Sequence, residues 1–521
     1  MFPASMHRKR LAGVVLPLSS IRTRRDWGIG QISDLPAAAA WVRESGHTLL
    51  QVLPPHELAA GETSPYGART AFGLDPIYID IDAIADLDAA AIDHALGAQG
   101  KAEREALRMA PVARYDAVRR LKSAALSAAF DRFYEREWLR DTARAKDLRR
   151  FLDRERAWLD DLALYVALRE SHDGYGWTTW PAEERDRHPT ALARTRELHA
   201  RRILAYGYTQ WTALGQWDEA RAAVNALGVE LMGDVPFIVC AESADVWAHP
   251  EQFWRHVSLG APPDGFSAMG QDWGLPAYDW PVADKTDLAW VRARSRHAAR
   301  LYDRFRLDHV IGYFRQYVRH PGQLGWFVPD DERAQEQRGA AVLGAILEAA
   351  GDTWVVGEDL GVIPPFARAT LTRLGLPGYR VLPWERDEHH RLRHPHEFPP
   401  GSVATWSTHD TAPITSWWNE MQPYEREDFA RLLALPDGAG EESRVLHLLE
   451  ALYGATSDLA LVLAQELLLE GARINTPGTV GDHNWTYRLP VPLEILADDG
   501  ALRSRLERVR RMVTATGRFD A

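Results

Sequence analysis

Eight apolar runs, each bounded by proline, glycine or polar residues, recur along this chain: Gly13–Leu18, Thr48–Leu53, Val229–Val239, Arg304–Val310, Thr353–Glu358, Tyr379–Trp384, Ser402–Asp410 and Leu459–Leu467. Between several of them lie stretches rich in alanine, glutamate and arginine with helical periodicity, such as Ser33–Glu44 and Gln335–Ala350. Short unbroken apolar runs suit strands buried on both faces, and strand alternating with helix makes a parallel sheet. Eight such strands predict a (β/α)8 barrel, with a doubly wound open sheet as the alternative. At 521 residues and 46% hydrophobic composition, the chain can bury one large barrel with insertions.

The rhythm breaks between about residues 85 and 225, where alanine, arginine, aspartate and glutamate dominate and apolar residues keep helical spacing. This reads as a helical insertion following the second strand, and therefore lying above the C-terminal face where barrel enzymes build their sites. The expected organisation is residues 1–84 as the first part of the barrel, 85–225 as the insertion and 226–521 as the remainder. Within the insertion, Arg149, Arg150, Arg154 and Arg156 alternate with Asp147, Asp153 and Glu155, the pattern of a solvated helix face.

A net charge of −12 argues against a nucleic-acid or anionic-membrane partner, because both demand concentrated positive charge. No run reaches the length of a membrane helix, and Met1–Arg10 carries no apolar leader segment. The single cysteine, Cys240, has no partner for an internal disulfide and is expected in the core. A cytoplasmic location is expected; the oligomeric state is not legible.

Three of the runs end in acids: Arg306-Leu307-Asp308-His309, Gly357-Glu358-Asp359 and Thr408-His409-Asp410, at roughly fifty-residue intervals that fit a barrel with loop insertions. Alternate strand residues share a face, so Arg306 and Asp308 project together, the guanidinium keeping the carboxylate charged and oriented. Glu358 follows Val355, Val356 and Gly357, whose apolar surroundings favour its protonated form. A charged and a protonated carboxyl in one cleft are what glycoside chemistry needs, one to attack the anomeric carbon and one to protonate the leaving oxygen. The histidines His389, His390, His394 and His396 with Glu397 sit in an Arg-, Pro- and Asp-laced segment that reads as an exposed loop, so no metal site is expected. No phosphate loop or dinucleotide fingerprint occurs, and no cofactor is expected.

The chain resembles the amylomaltases, the 4-α-glucanotransferases of the α-amylase clan. The resemblance runs through Ser64–Tyr66, Trp158–Asp161, Gly233–Phe237, Ser243–Trp247, Gly260–Asp264, Gly270–Gly274, Arg306–His309, Gly357–Gly361, Thr408–Asp410 and Arg473–Thr479. It implies Asp308 as nucleophile, Glu358 as general acid and base, and Asp410 as a third acid that grips sugar hydroxyls. It also implies Arg306, His309, His409 and Asp234 around the donor sugar, with Ser64, Tyr66, Asp264, Gln271, Trp273 and Asn475 along the glucan groove. The substrates implied are maltooligosaccharides and other α-1,4-glucans, the reaction a retaining transfer to a 4-hydroxyl. With only residues 486–521 after Trp485, no C-terminal β-domain of the amylase type is expected.

Three departures stand out: Val310-Ile311 where Phe-Arg is usual, Gln465-Glu466 where Gln-Asp is usual, and Gly67 where Gln is customary. A hydrolase on the same carboxylates is the nearest rival, and a catalytically silent glucan-binding protein is the rival from another class.

Overall fold

The computed structural model describes residues 10–59, 61–263, 270–320 and 322–520. Eight parallel strands close into a barrel: β1 (Leu11–Val15), β2 (Leu49–Gln51), β3 (Glu230–Val235), β4 (Arg304–Leu307), β5 (Trp354–Gly357), β6 (Gly378–Val381), β7 (Ser402–Thr405) and β8 (Leu459–Leu463). Each strand pairs with its sequence neighbours, and β1 closes on β8 through Leu11 to Val15 against Leu459 to Leu463. All eight apolar runs supply a strand, so the closed barrel replaces the open-sheet alternative. The sandwiching of each strand between two apolar layers explains why the runs are unbroken.

Those layers are distinct in composition. Leu11, Val15, Leu49, Met232, Trp354, Val356, Tyr379, Val403, Leu459, Leu461 and Leu463 fill the barrel interior as one buried cluster. The intervening residues, such as Ala12, Val14, Leu231, Phe305, Val355, Ala404 and Val462, face the helical shell. Along β4 the parity places Arg306 inward, in register with Asp234 on β3 and Val356 on β5.

Helices Leu35–Glu44, Ala200–Ala226, Ala289–Leu301, Glu332–Ala350, Pro365–Leu374 and Glu441–Tyr453 make the crossovers, and Gly500–Ala515 completes the outer ring after β8. The β6-to-β7 connection contains only two 3-10 turns, Leu382–Trp384 and Pro395–Glu397, with no α-helix. Within the helical stretch of residues 85–225, Ala200–Ala226 is the barrel's own crossover, packed against β3 and Leu35–Glu44. Helices Ala89–Met109 and Tyr115–Arg136 instead reach the loops after β1 and β8: the Arg488 guanidinium donates to the carbonyls of Leu107 and Ala110, and the Tyr115 hydroxyl to the carbonyl of Trp485.

Two accessory sheets escaped the sequence reading. Strands Ser258–Ala261, Gln271–Asp272, Gln316–Arg319 and Trp326–Val328 form a four-stranded antiparallel sheet from the loops after β3 and β4, and Phe253–Trp254 pairs with Ala277–Tyr278. Strands of two to four residues are too short to show a period. Cys240 is only partly buried, just beyond β3, rather than in the core. Among the described residues no helix is long and apolar enough to cross a membrane.

Gly233 shows how tightly β3 is held. Its outward face is covered by the Tyr302 ring, three atoms of which lie 2.2–2.4 Å from where a Cβ would stand. Tyr302 is pinned in turn edge-on against Trp217, whose indole donates to the Leu301 carbonyl at 2.9 Å. Gly233→Ala is therefore expected to destabilise the protein by about 1–3 kcal/mol through overpacking. Gly344→Ala, on a helix with no atom within 4 Å of the added methyl, is expected to leave stability unchanged or raise it by up to about 1 kcal/mol. Thermal denaturation of the two variants tests the contrast.

Candidate active site

Three acids from three strand ends converge on the C-terminal mouth of the barrel, with one guanidinium at their centre. Arg306, 6% exposed, donates from Nη1 to both carboxylate oxygens of Asp234 at 2.8 Å and to Oδ1 of Asp308 at 2.9 Å. Its Nη2 lies 4.0 Å from Oε2 of Glu358. Asp308 and Glu358 thus share one neighbour at the mouth of the barrel. Asp234 is fully enclosed, and burial raises its pKa against the opposing pull of Arg306. The pair is a charged floor on which Asp308, with 24% of its side chain exposed, is held facing the opening.

Glu358 follows β5, and its carboxylate accepts two backbone N–H bonds, from His309 and Leu360, each 2.9 Å. Burial pushes its pKa up to about 8 and the negative charge of Asp308 adds to the rise, while Arg306 and the two N–H donors act against it. Glu358 is accordingly protonated at neutral pH beside a carboxylate that is bonded to a guanidinium.

His309 is the hinge of this geometry. It adopts the left-handed conformation, φ 46° and ψ 54°, which turns its N–H toward Glu358 and its ring edge-on to Trp273 at 4.8 Å and Phe237 at 5.7 Å. A non-glycine residue in this region carries strain that the surroundings must hold. Burial lowers the imidazole pKa to about 4, so the ring is neutral at pH 7.

On the opposite wall, the Tyr66 hydroxyl donates to Asp234 Oδ2 at 2.8 Å and meets His409 Nε2 at 3.0 Å, with the two rings stacked. His409 Nε2 also lies 3.1 Å from Asp410 Oδ2, and Asn475 donates to Asp410 Oδ1 at 2.6 Å. Burial works to raise the pKa of Asp410, but His409, Asn475 and Arg306 override it and hold the carboxyl at about 2. A carboxylate fixed at both oxygens and 39% exposed is a rigid acceptor for hydroxyl donors in the cleft.

The remaining expected residues lie at the periphery. Ser64 shapes the turn that presents Tyr66, its Oγ accepting the Tyr66 N–H at 3.4 Å. Gln271 accepts the Trp273 indole N–H at 3.1 Å and so fixes the ring that covers His309. Asp264 lies outside the described residues. Among the described residues, no group of three histidine, cysteine or acidic side chains is placed to hold a metal.

Three participants received no role in the sequence reading. Tyr379 on β6 lies under Arg306, with 5.9 Å from guanidinium carbon to ring centroid. Trp485, at φ 65°, packs on Tyr66 and His409. Asp359, next to Glu358, turns away to accept the Tyr379 N–H at 2.6 Å. The tyrosine lies inside an apolar run and the tryptophan in a loop after β8, so neither is a strand-end acid of the kind that marks the other three.

The three departures are not equivalent. Val310 is fully buried against Gly357, and Ile311 is 9% exposed, so both pack behind the acids. Glu466 is buried, accepts the Leu463 N–H at 3.0 Å and caps the helix after β8, burial raising its pKa to about 7. Gly67 has space beside it: an added Cβ would meet nothing nearer than 3.6 Å.

The chain is similar to known proteins over nearly its whole length. The family profile described as 4-alpha-glucanotransferase matches residues 16–494. The 4-alpha-glucanotransferase of Chlamydia pneumoniae is 30% identical over 510 residues, covering 95% of this chain and 94% of that protein. The enzyme of the same name from Thermus thermophilus is 33% identical over 497 residues, covering 92% and 93%. Among solved structures, the amylomaltase of Streptococcus agalactiae in complex with acarbose superposes with a TM-score of 0.84 at 24% identity, over 98% of this chain and all of that one. The amylomaltase of Corynebacterium glutamicum gives 0.80 at 24% identity, over 97% of this chain and 75% of that one.

Proposed function

The chain belongs to the family of 4-alpha-glucanotransferases, and on that premise we propose that it works by a retaining double displacement on maltooligosaccharides. It is a glycosyltransferase acting on α-1,4-glucans. In the first step Asp308 Oδ attacks the anomeric carbon while Glu358 delivers its proton to the departing glucan oxygen. The bond to the leaving 4-oxygen breaks as the bond to Asp308 forms. In the second step Glu358, now ionised, takes the proton of an acceptor 4-hydroxyl, which attacks the anomeric carbon and releases Asp308. Two inversions leave the product with the starting configuration.

The observation that carries this reading is the position of Arg306 between the two acids, bonded to Asp308 and 4.0 Å from a Glu358 whose pKa is raised. Proton supply and attack are thereby divided between two groups that face one space. Asp410 takes two sugar hydroxyls as the ring flattens toward the oxocarbenium state. His409, Tyr66 and Asp234 orient it, and Trp273 supplies an apolar face.

Incubation with maltotriose is expected to yield glucose together with maltotetraose, maltopentaose and longer chains, resolved by size. Steady release of reducing ends without any product longer than maltotriose would replace transfer by hydrolysis.

A further inference from the structure

The arginine-rich face that the sequence reads as merely solvated lines a groove on the outer wall of the barrel. The groove encloses about 620 Å³ between the helices Ala143–Ser171, Ala200–Ala226 and Ala289–Leu301. It shares Arg154, Asp218 and Arg300 with a second lobe of about 400 Å³. Both volumes fall in the range of small-molecule sites, and neither lobe contains a residue of the catalytic mouth.

The floors are aromatic. In the larger lobe Trp158 lies nearly parallel to Phe72, ring centroids 6.0 Å apart, and edge-on to His297 at 5.8 Å. Phe151 and Trp211 line the smaller one.

The rim is cationic beyond its own needs. Buried Glu155 is occupied by Arg154 Nε at 2.8 Å, Arg300 Nη1 at 2.6 Å and the Trp158 indole at 2.9 Å. Arg154 therefore keeps both terminal nitrogens available on a side chain 60% exposed. Arg300 Nη2 is only within 3.8 Å of Asp218, itself 56% exposed. Arg296 is exposed, and its side chain has no hydrogen bond or ion pair with any described residue. A cluster serving stability alone would pair all three guanidiniums; here Glu155 and the more distant Asp218 serve Arg154 and Arg300, and Arg296 is left unpaired at the groove.

We propose that this groove binds a ring-bearing organic phosphate, a sugar phosphate or a nucleotide. Its ring lies over Trp158 and its phosphoryl oxygens sit among Arg154, Arg296 and Arg300. Guanidinium forks match phosphate oxygens in pairs, aromatic faces match a pyranose or a base, and Asp218 accepts ring hydroxyls. A neutral glucan would leave the arginines without a partner, and inorganic phosphate would leave the aromatic floor uncovered.

Calorimetric titration of the full chain with glucose 6-phosphate, AMP, inorganic phosphate and maltotriose tests the proposal and separates the two ligand sources. At least one organic phosphate is expected to bind with a Kd below about 1 mM, at least about tenfold tighter than inorganic phosphate. The affinity is expected to fall at least about tenfold in Arg154→Ala/Arg296→Ala and measurably in Arg296→Ala alone. Both side chains are exposed, so melting temperatures stay near that of the parent. In an Asp308→Asn background, saturating maltotriose should leave the organic phosphate bound. Absence of binding at about 5 mM, equal affinity for inorganic phosphate, unchanged affinity in the double variant, or displacement by maltotriose would each overturn it.

Discussion

Replacing Asp308 by asparagine is expected to lower maltotriose transfer by a factor of about 10⁴ or more, while maltotriose still binds and the fold persists. The size follows from what is removed. An amide has no charge to offer the anomeric carbon, and no second carboxylate is free to substitute, because Asp410 is held by His409 and Asn475 and Glu358 is protonated. The fold persists because the buried partner of Arg306 is Asp234, which takes two hydrogen bonds from Nη1 and stays in place. Asparagine is nearly isosteric and sits on the open side of the pair, so the melting temperature is expected to change by only a few degrees. Rate measurements over long incubation, paired with calorimetric titration of maltotriose, check both halves. Transfer above about one hundredth of the parent rate would remove Asp308 from the nucleophile's role. Loss of binding along with turnover would make its contribution one of assembly.

Much of this site is legible in the sequence, and the part that is not has a physical reason. Barrel strands are buried on both sides, so their apolar runs stand out, and the acids that end three of them mark the mouth. The shared face of Arg306 and Asp308 follows from strand parity alone, and the 2.9 Å bond between them realises it. The strongest partner of Arg306 is nevertheless Asp234, on a strand more than sixty residues earlier. The register that sets them side by side is fixed by packing across the sheet, which a single sequence does not encode locally. The same holds for Tyr379 beneath the guanidinium and Trp485 against His409, which reach the site through closure of the barrel. Val310 and Ile311 illustrate the converse: adjacent in sequence to the nucleophile, they are packed behind it.

Glu358→Gln separates the proton from the attack. With natural glucans, whose leaving oxygen must be protonated, transfer is expected to fall about 10²- to 10⁴-fold. With maltosyl fluoride, whose leaving group needs no proton, the first step should proceed at close to the parent rate and stall at the glycosyl-enzyme, which added azide would then discharge. The parent enzyme should also show the proton in its pH profile. Burial and the Asp308 charge raise Glu358 to about 8, so the acid form needed for the first step prevails below that pH and is lost above it. The rate with maltotriose should therefore decline as pH rises through about 8, and this limb should vanish in the variant. The second step asks for the opposite protonation state, and the mechanism supplies it. Glu358 has just surrendered its proton, and esterification of Asp308 removes the negative charge that helped to raise its pKa, so the carboxylate persists as a base until the acceptor arrives. A flat profile between pH 7 and 9 in the parent, or a Glu358→Gln variant equally impaired toward fluoride and glucan donors, would assign the proton to another group.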